Sequence, residues 1–568
     1  MMGSMPESTP VRALADEYWE AQMRVSPSDA TFLGDRRFDA EIEDVSVEAD
    51  ARQEGTWREL RARVDALPPP ESRADAVTQA LLVETLDDAL GHLAHRTTEL
   101  AYDQMDGIHA GLLTAAPQVN APEPQNARDL VTRHRRVGEL LDTAVARFRA
   151  GLAAGRTPPR LVLDRALNQV DGYLASPLDE DPFTTFPGPE GWDGEDAWRQ
   201  DLRAAAAEVV RPAFARYGAA LRDELLPHAR GDDEPGLGHV AGGEDLYRFL
   251  VRSHTGLDLD PAAVHQVGLD EVAAVDERIA EVGSRLFGTT DRSVIFERLR
   301  TDPDLRYDPA RPEEPLEDAR RCVAAATEVM GAWFGRLPQS PCEVKPVPEG
   351  LAADAPGAYY FPPAADGSRP GAYFVNTHDL GERNRSDTAS VAFHEAIPGH
   401  HLQLAIASEL TELPAFQRFS SGHTAFVEGW ALYTEALADE MGLYTSDVDR
   451  LGMLVNDAWR ACRLVVDTGM HALGWTRQQA IDQMVAHVPI GVGEITVEVD
   501  RYVAIPAQAL SYKVGQREIL RLRAAATEAL GDRFDVRGFH DAVLGSSTVS
   551  LPVLASLVDD WVATRRAA

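Results

Sequence analysis

Along most of the chain apolar residues return every three or four positions, the period of a helix that buries one stripe, and period-two alternation is rare. In the first half this pattern predicts helices over residues 78–97 and 127–152, stacked as helical layers. In the second half it predicts helices over residues 390–397, 424–441, 455–473 and 508–525. Segments rich in Pro, Gly and Asp at 179–196 and 231–243 break the pattern and read as loops, lids or subdomain borders. Two β-prone runs, 358–362 and 371–376, flank the turn-forming PAADGSRP and read as a hairpin. The expected fold class is therefore mainly α (α+β), a helical body with a small β-hairpin. We expect residues 1–240 to form a helical region and residues 241–568 to carry the chemistry, the two interleaved in one globular unit.

Composition narrows the function classes. With 44% hydrophobic residues in 568, the chain can bury a large core, and no apolar stretch of the roughly 20 residues needed to cross a bilayer is present. Acidic residues exceed basic ones by 91 − 55 = 36. A field of that sign repels phosphate backbones and anionic headgroups, so neither nucleic acid nor membrane is an expected partner. Cys322, Cys342 and Cys462 form no CxxC pair, and the N-terminal segment is charged and amphipathic without an apolar core, so a reducing cytoplasm is the expected location. The chain has two lysines, Lys345 and Lys513; arginine supplies nearly all positive charge.

The chemistry concentrates in SDTASVAFHEAIPGHHLQ, residues 386–403. Neutral imidazole and carboxylate are good zinc ligands, and catalytic zinc keeps one position for water whose proton an adjacent Glu can accept. His394 and Glu395 supply one of each, His394 as metal ligand and Glu395 as catalytic base. The usual spacing HExxH fails, because position +4 from His394 is Pro398. In a regular helix His400 would sit about 240° around from His394, at roughly 100° per residue, and His401 would face correctly but about 10 Å further along. Pro398 removes a helical N–H and Gly399 permits unusual backbone angles, so a bulge here can absorb two residues and return His400 to the metal. His401 is the alternative ligand, or an outer-layer partner.

These residues resemble the signature HExxPGH of the family known as domain of unknown function 885, whose members look like distant zincins. The resemblance implies a peptidase-type helical fold, one zinc ion per chain, and a Glu ligand on the next long helix. AFVEGWALYTE, residues 425–435, resembles the family's EGWALY element and so assigns that ligand to Glu428. Glu428 stands among Phe426, Val427, Trp430 and Tyr433, where an ionised carboxylate is costly unless paired or metal-bound. Glu435, seven residues on, shares its face and is a candidate partner for a ligand histidine.

Two further blocks resemble the family. RACRLVVDTGMHALGW, residues 460–475, places Asp467 and His471 four apart on one helical face; His471 is a candidate catalytic histidine and Asp467 its support. RYVAIPAQALSYKVG, residues 501–515, offers Tyr512 as an oxyanion donor and Arg501, Gln508 and Lys513 as substrate-binding groups. In the hairpin, Tyr360, Tyr373 and Asn376 are candidates to line a groove where a peptide adds as a strand.

Together these features lead us to expect a zinc-dependent metallopeptidase acting on short peptides or peptide-like amides. The alternatives are hydrolysis of a non-peptide amide or ester, and a catalytically silent metal- or peptide-binding protein.

Overall fold

In the computed structural model of the protein, helix follows helix from Pro10–Val25 to Leu551–Ala567. It describes all residues except 1–8, 349–351, 353–355, 364–368, 379, 420, 421 and 568. The start of the N-terminal segment and the centre of the hairpin turn thus lie outside the described residues. The helix expected over 78–97 is Arg73–Ala94, started by the Ser72 hydroxyl accepting from Asp75 N at 3.1 Å. The one expected over 127–152 is two helices, Pro124–His134 and Val137–Ala153. Before that break Arg133 is buried and donates to the carbonyls of Pro27 and Phe38 at 3.1 and 2.8 Å. A periodicity that continues across a break cannot reveal it. No helix among the described residues is long and apolar enough to cross a membrane.

The β-structure is larger than the expected hairpin. Strands β1 (Cys342–Pro346), β2 (Ala358–Phe361) and β3 (Gly371–Val375) form a sheet in the order β1-β3-β2. β2 runs antiparallel to β3 with Tyr360 opposite Tyr373, whereas β1 runs parallel to β3 with Val344 opposite the same tyrosine. β1 is five residues long, follows Pro341 and ends on Pro346, so it carries no clean alternation to read.

Seven helices frame the site: α1 (Pro261–Phe287), α2 (Thr388–Glu395), α3 (His400–Glu409), α4 (Thr424–Glu440), α5 (Asp447–Ala472), α6 (Val492–Ala504) and α7 (Ser511–Leu530). α5 begins eight residues before the expected start at 455, where Ser446 and Asp449 form a reciprocal capping box. It packs along α1, and its second half is buried almost throughout. One cluster of buried side chains runs from Leu14 to Val558 and includes Leu141 and Phe214 as well as Trp430 and Val465, so residues on both sides of position 240 share a core. The 231–243 segment is docked rather than a free lid: Leu237 is buried, and its N–H donates to His471 Nδ1 at 3.1 Å.

α4 and α7 cross backbone to backbone. A Cβ on Gly429 would lie 2.4 Å from Gly515 Cα, and one on Gly515 would lie 1.8 Å from the Ala425 carbonyl oxygen. Neither distance tolerates a side chain, so the crossing depends on two glycines. We expect Gly515→Ala to destabilise the protein by about 2–3 kcal/mol through overpacking. Gly331→Ala, where the added methyl meets nothing within 4 Å, should be neutral or stabilising by up to about 1 kcal/mol. Denaturant titration of the two variants checks this; equal midpoints would contradict it.

Candidate metal centre

α2 stops at Glu395 and α3 starts at His400, with a four-residue turn between them that contains a cis Ile397–Pro398 bond. Helix ends leave carbonyls without partners, and three carbonyls at this break find one. Phe393 O accepts from Thr434 Oγ1 at 3.2 Å, Ala396 O from His401 N at 3.0 Å, and Pro398 O from the buried Trp430 indole at 3.0 Å. Gly399 lies so close to the end of α2 that a Cβ would stand 1.9 Å from His394 O. The break turns the chain so that the rings of His394 and His400 stand 4.8 Å apart, nearly perpendicular.

Glu428, on α4, completes a triangle. Its Oε2 is 3.6 Å from His394 Nε2 and 3.6 Å from His400 Nε2, and one donor atom from each residue lies within 4.8 Å of the other two. These separations are too long for hydrogen bonds and suit three ligands around one ion at about 2.0–2.2 Å. Consistent with that, Glu428 Oε2 is buried and has no hydrogen-bond partner among the described residues. A buried acceptor of this kind is expensive unless a cation or donor meets it. Two imidazoles and one carboxylate form a donor set that suits zinc.

Charge in the cluster is strongly coupled. Burial alone would lower the pKa of His394, but Glu428 and Glu435 outweigh it and raise the ring to about 10, with Glu395 adding to the effect. Burial opposes ionisation of Glu428, yet His394 and His400 hold it well below the usual carboxylate range. The carboxylates that favour a proton on the ring also favour a metal cation there, and the two compete.

Behind His394 lies a layer that fixes its orientation. The buried Glu435 accepts from His394 Nδ1 at 2.8 Å and from Ser390 Oγ at 2.7 Å. Asn456 on α5 in turn donates to Ser390 Oγ at 2.6 Å, and the Tyr444 hydroxyl donates to the Glu435 carbonyl at 2.8 Å. A carboxylate on Nδ1 keeps the proton on that nitrogen and leaves Nε2 free to bind metal. Glu435 was legible from its seven-residue spacing to Glu428. Ser390 could have been found one helical turn before His394; Asn456 and Tyr444 left no sequence signal.

Glu395 ends α2, partly exposed, and its charge acts on both the His394 ring and the Tyr373 phenol. Tyr512, at the start of α7, lies parallel to His394 at 6.4 Å between ring centres. The Arg463 guanidinium sits 4.4 Å from the centre of the Tyr512 ring. Arg463 and Arg460 were not singled out from the sequence, although they stand three apart on a helix that is otherwise largely apolar in this stretch.

Several expected site residues are engaged elsewhere. His401 points away from Glu428: Nδ1 meets the Tyr360 hydroxyl at 2.9 Å and Nε2 the Ser340 carbonyl at 3.0 Å, which ties α3 to the sheet. Tyr360 is therefore an anchor of His401 rather than a groove wall. Tyr373 is 1% exposed on the central strand, and Asn376 Nδ2 holds the Ala352 and Pro356 carbonyls at 2.7 and 3.2 Å, so neither lines an open edge. His471 is engaged away from the His394–His400–Glu428 triangle. It is buried, accepts from Leu237 N, lies 2.9 Å from the Tyr502 carbonyl and stacks on Tyr247, and burial lowers its pKa to about 4. Asp467 accepts from Tyr247 OH at 2.6 Å and Ala507 N at 3.1 Å instead of supporting a ligand histidine, and burial raises it to about 7. Lys513 is buried and paired with Asp457 and Glu271 at 2.5 and 3.2 Å. Asp467 and His471 share a helical face, as their spacing required, but that face meets the 231–243 loop and not the metal triangle. Arg501 and Gln508 remain partly exposed and bonded to each other at 3.0 Å.

None of the curated proteins matches the chain. Among solved structures, one described as a "putative lipoprotein from Colwellia psychrerythraea" superposes with a TM-score of 0.90 at 27% identity, covering 98% of this chain and 99% of the other. Another, a "putative lipoprotein of unknown function from Shewanella oneidensis", shares the fold with a TM-score of 0.76 at 18% identity over 97% of this chain and 99% of its own. The family described as "Bacterial protein of unknown function (DUF885)" matches residues 27–558, and the chain belongs to that family.

Proposed function

We propose that the protein is a zinc-dependent hydrolase, a metallopeptidase that cleaves short peptides or peptide-like amides. The observation that carries this reading is the convergence of His394, His400 and Glu428 on one point, with Glu435 behind His394 and Glu395 beside it. When bound there, zinc would supply Lewis acidity at the scissile carbonyl. Glu395 takes the proton of the attacking water and returns it to the leaving amine as the C–N bond breaks. Tyr512, next to His394, donates to the oxyanion as charge develops on the carbonyl oxygen. Glu435 and Ser390 hold His394 in place throughout.

The net charge of −36 supports a small substrate over a nucleic acid.

Glu395→Gln should keep one zinc per chain by metal analysis while losing about 10²–10⁴-fold in turnover on a peptide library. A variant that loses nothing points instead to a silent binding protein, and cleavage confined to non-peptide amides redirects the substrate assignment. Glu435→Gln, with the ligands intact, should weaken zinc binding roughly 10- to 100-fold in a chelator competition. Unchanged affinity would show that the outer layer does not act on His394.

A further inference from the structure

Beside the His394–His400–Glu428 triangle, two arginines stand over one phenol and a third acts on it. Arg463 Cζ lies 4.4 Å and Arg460 Cζ 6.0 Å from the Tyr512 ring centre, and the charge of Arg501 on α6 acts on both Tyr512 and Arg463. Glu498 is the carboxylate in ion-pair contact with this group, 3.1 Å from Arg463 and 3.5 Å from Arg501. Asp106 and Asp387 feel Arg501 and Arg460 at longer range. Tyr502 OH accepts from Arg463 Nε at 2.9 Å and donates to Glu498 at 2.9 Å.

These partners do not use all the donors. Arg463 Nη1, Arg501 Nε and Arg460 Nε are buried without hydrogen-bond partners among the described residues. Arg463 itself is 4% exposed. A guanidinium so deep, with an unused N–H, carries a desolvation cost that a second anion would offset. In a protein with 36 excess negative charges, a group of arginines this close together is a local exception.

We infer that Arg463, with Arg501 at its more exposed side, forms a pocket for the free α-carboxylate of the substrate, so that the enzyme cuts peptides near their C-terminus. Guanidinium groups bind carboxylate through paired, charge-assisted hydrogen bonds, and a planar fork matches that anion better than any other side chain. Position agrees with this role. The Tyr512 ring centre stands 4.4 Å from the guanidinium carbon and 6.4 Å from the centre of the His394 ring, so the two groups share one neighbour. Two or three extended residues, about 3.3 Å each, bridge a gap of that size. Water adds to the carbonyl carbon, the C–N bond breaks with the proton passing to the amine, and the released fragment carries the anchored carboxylate. The inference deepens the proposed peptidase reading and rests on it.

The test uses the zinc-loaded full chain and pairs of short peptides of one sequence, ending in a free acid or an amide. Wild-type kcat/KM should be about 100-fold higher for the acid. Arg463→Gln should slow cleavage of the acid far more than cleavage of the amide, so that most of that preference is lost, and Arg463→Lys should restore part of it. As buried Arg463 variants could fold poorly, Arg501→Gln and direct binding to Glu395→Gln give independent readouts. By calorimetry, Glu395→Gln should bind the acid at least about 30-fold more tightly than the amide. Equal, Glu395-dependent cleavage of both peptides, or equal binding, overturns the carboxylate pocket and leaves the peptidase reading standing. If neither peptide nor any library member is cleaved, yet the acid still binds selectively, the peptidase reading fails and the pocket survives.

Discussion

A buried carboxylate oxygen, Glu428 Oε2, faces two imidazole nitrogens at 3.6 Å each and no closer donor. Much of the surrounding architecture serves to hold that arrangement against the cost of burying charge. The break between α2 and α3 brings His400 to it, Trp430 clamps the break through the Pro398 carbonyl, and Glu435 fixes the far side of His394. Trp430, Glu428 and Glu435 belong to the same helix, so α4 supplies the carboxylate of the triangle, the clamp on the break and the partner of His394 Nδ1. Because α4 touches α7 through Gly429 and Gly515, the placement of Tyr512 beside the metal triangle depends on the same rigid body.

The site is layered by charge. Nearest the triangle the groups are acidic, Glu395, Glu428 and Glu435, which suits a cation. One ring further out, past Tyr512, the balance turns to arginine, which suits an anion. α5 joins the layers along one face: Asn456 supports the Ser390–Glu435 pair, Arg460 donates to Asn456 Oδ1 at 3.0 Å, and Arg463 follows one turn later. A substrate with a polarisable carbonyl and a terminal carboxylate a few residues apart matches that sequence of charges.

The helix that links these layers also shows why some assignments moved. Asp467 and His471 sit further along α5, and the side of the helix they occupy packs on Tyr247 and the 237–239 turn. Equally polar residues on one helix thus fall to different tasks according to what each turn of the helix faces. Burial decides: His471 is held neutral between a backbone donor and a backbone carbonyl, whereas Arg463, almost as deep, keeps an unused N–H.

Helical periodicity and turn residues by themselves determined that the chain is mainly α, that a β-hairpin precedes the motif, and where α4 lies to within a residue. The HE dipeptide with PGH offered His394 with His400 or His401, because local backbone chemistry dictates the break, and the resemblance of the EGW segment to the family's element pointed to Glu428, an acid conspicuous among aromatic residues. Three-dimensional contact decided the rest. The strand β1 pairs in parallel across a long separation, so its local sequence carries little trace of it. The choice between His400 and His401 depended on which imidazole the sheet would capture, and Tyr360 with Ser340 captured His401. The arginine group and the Ser390–Asn456 support are assembled from helices far apart in sequence, and spacing along one helix cannot state what another helix will place opposite it.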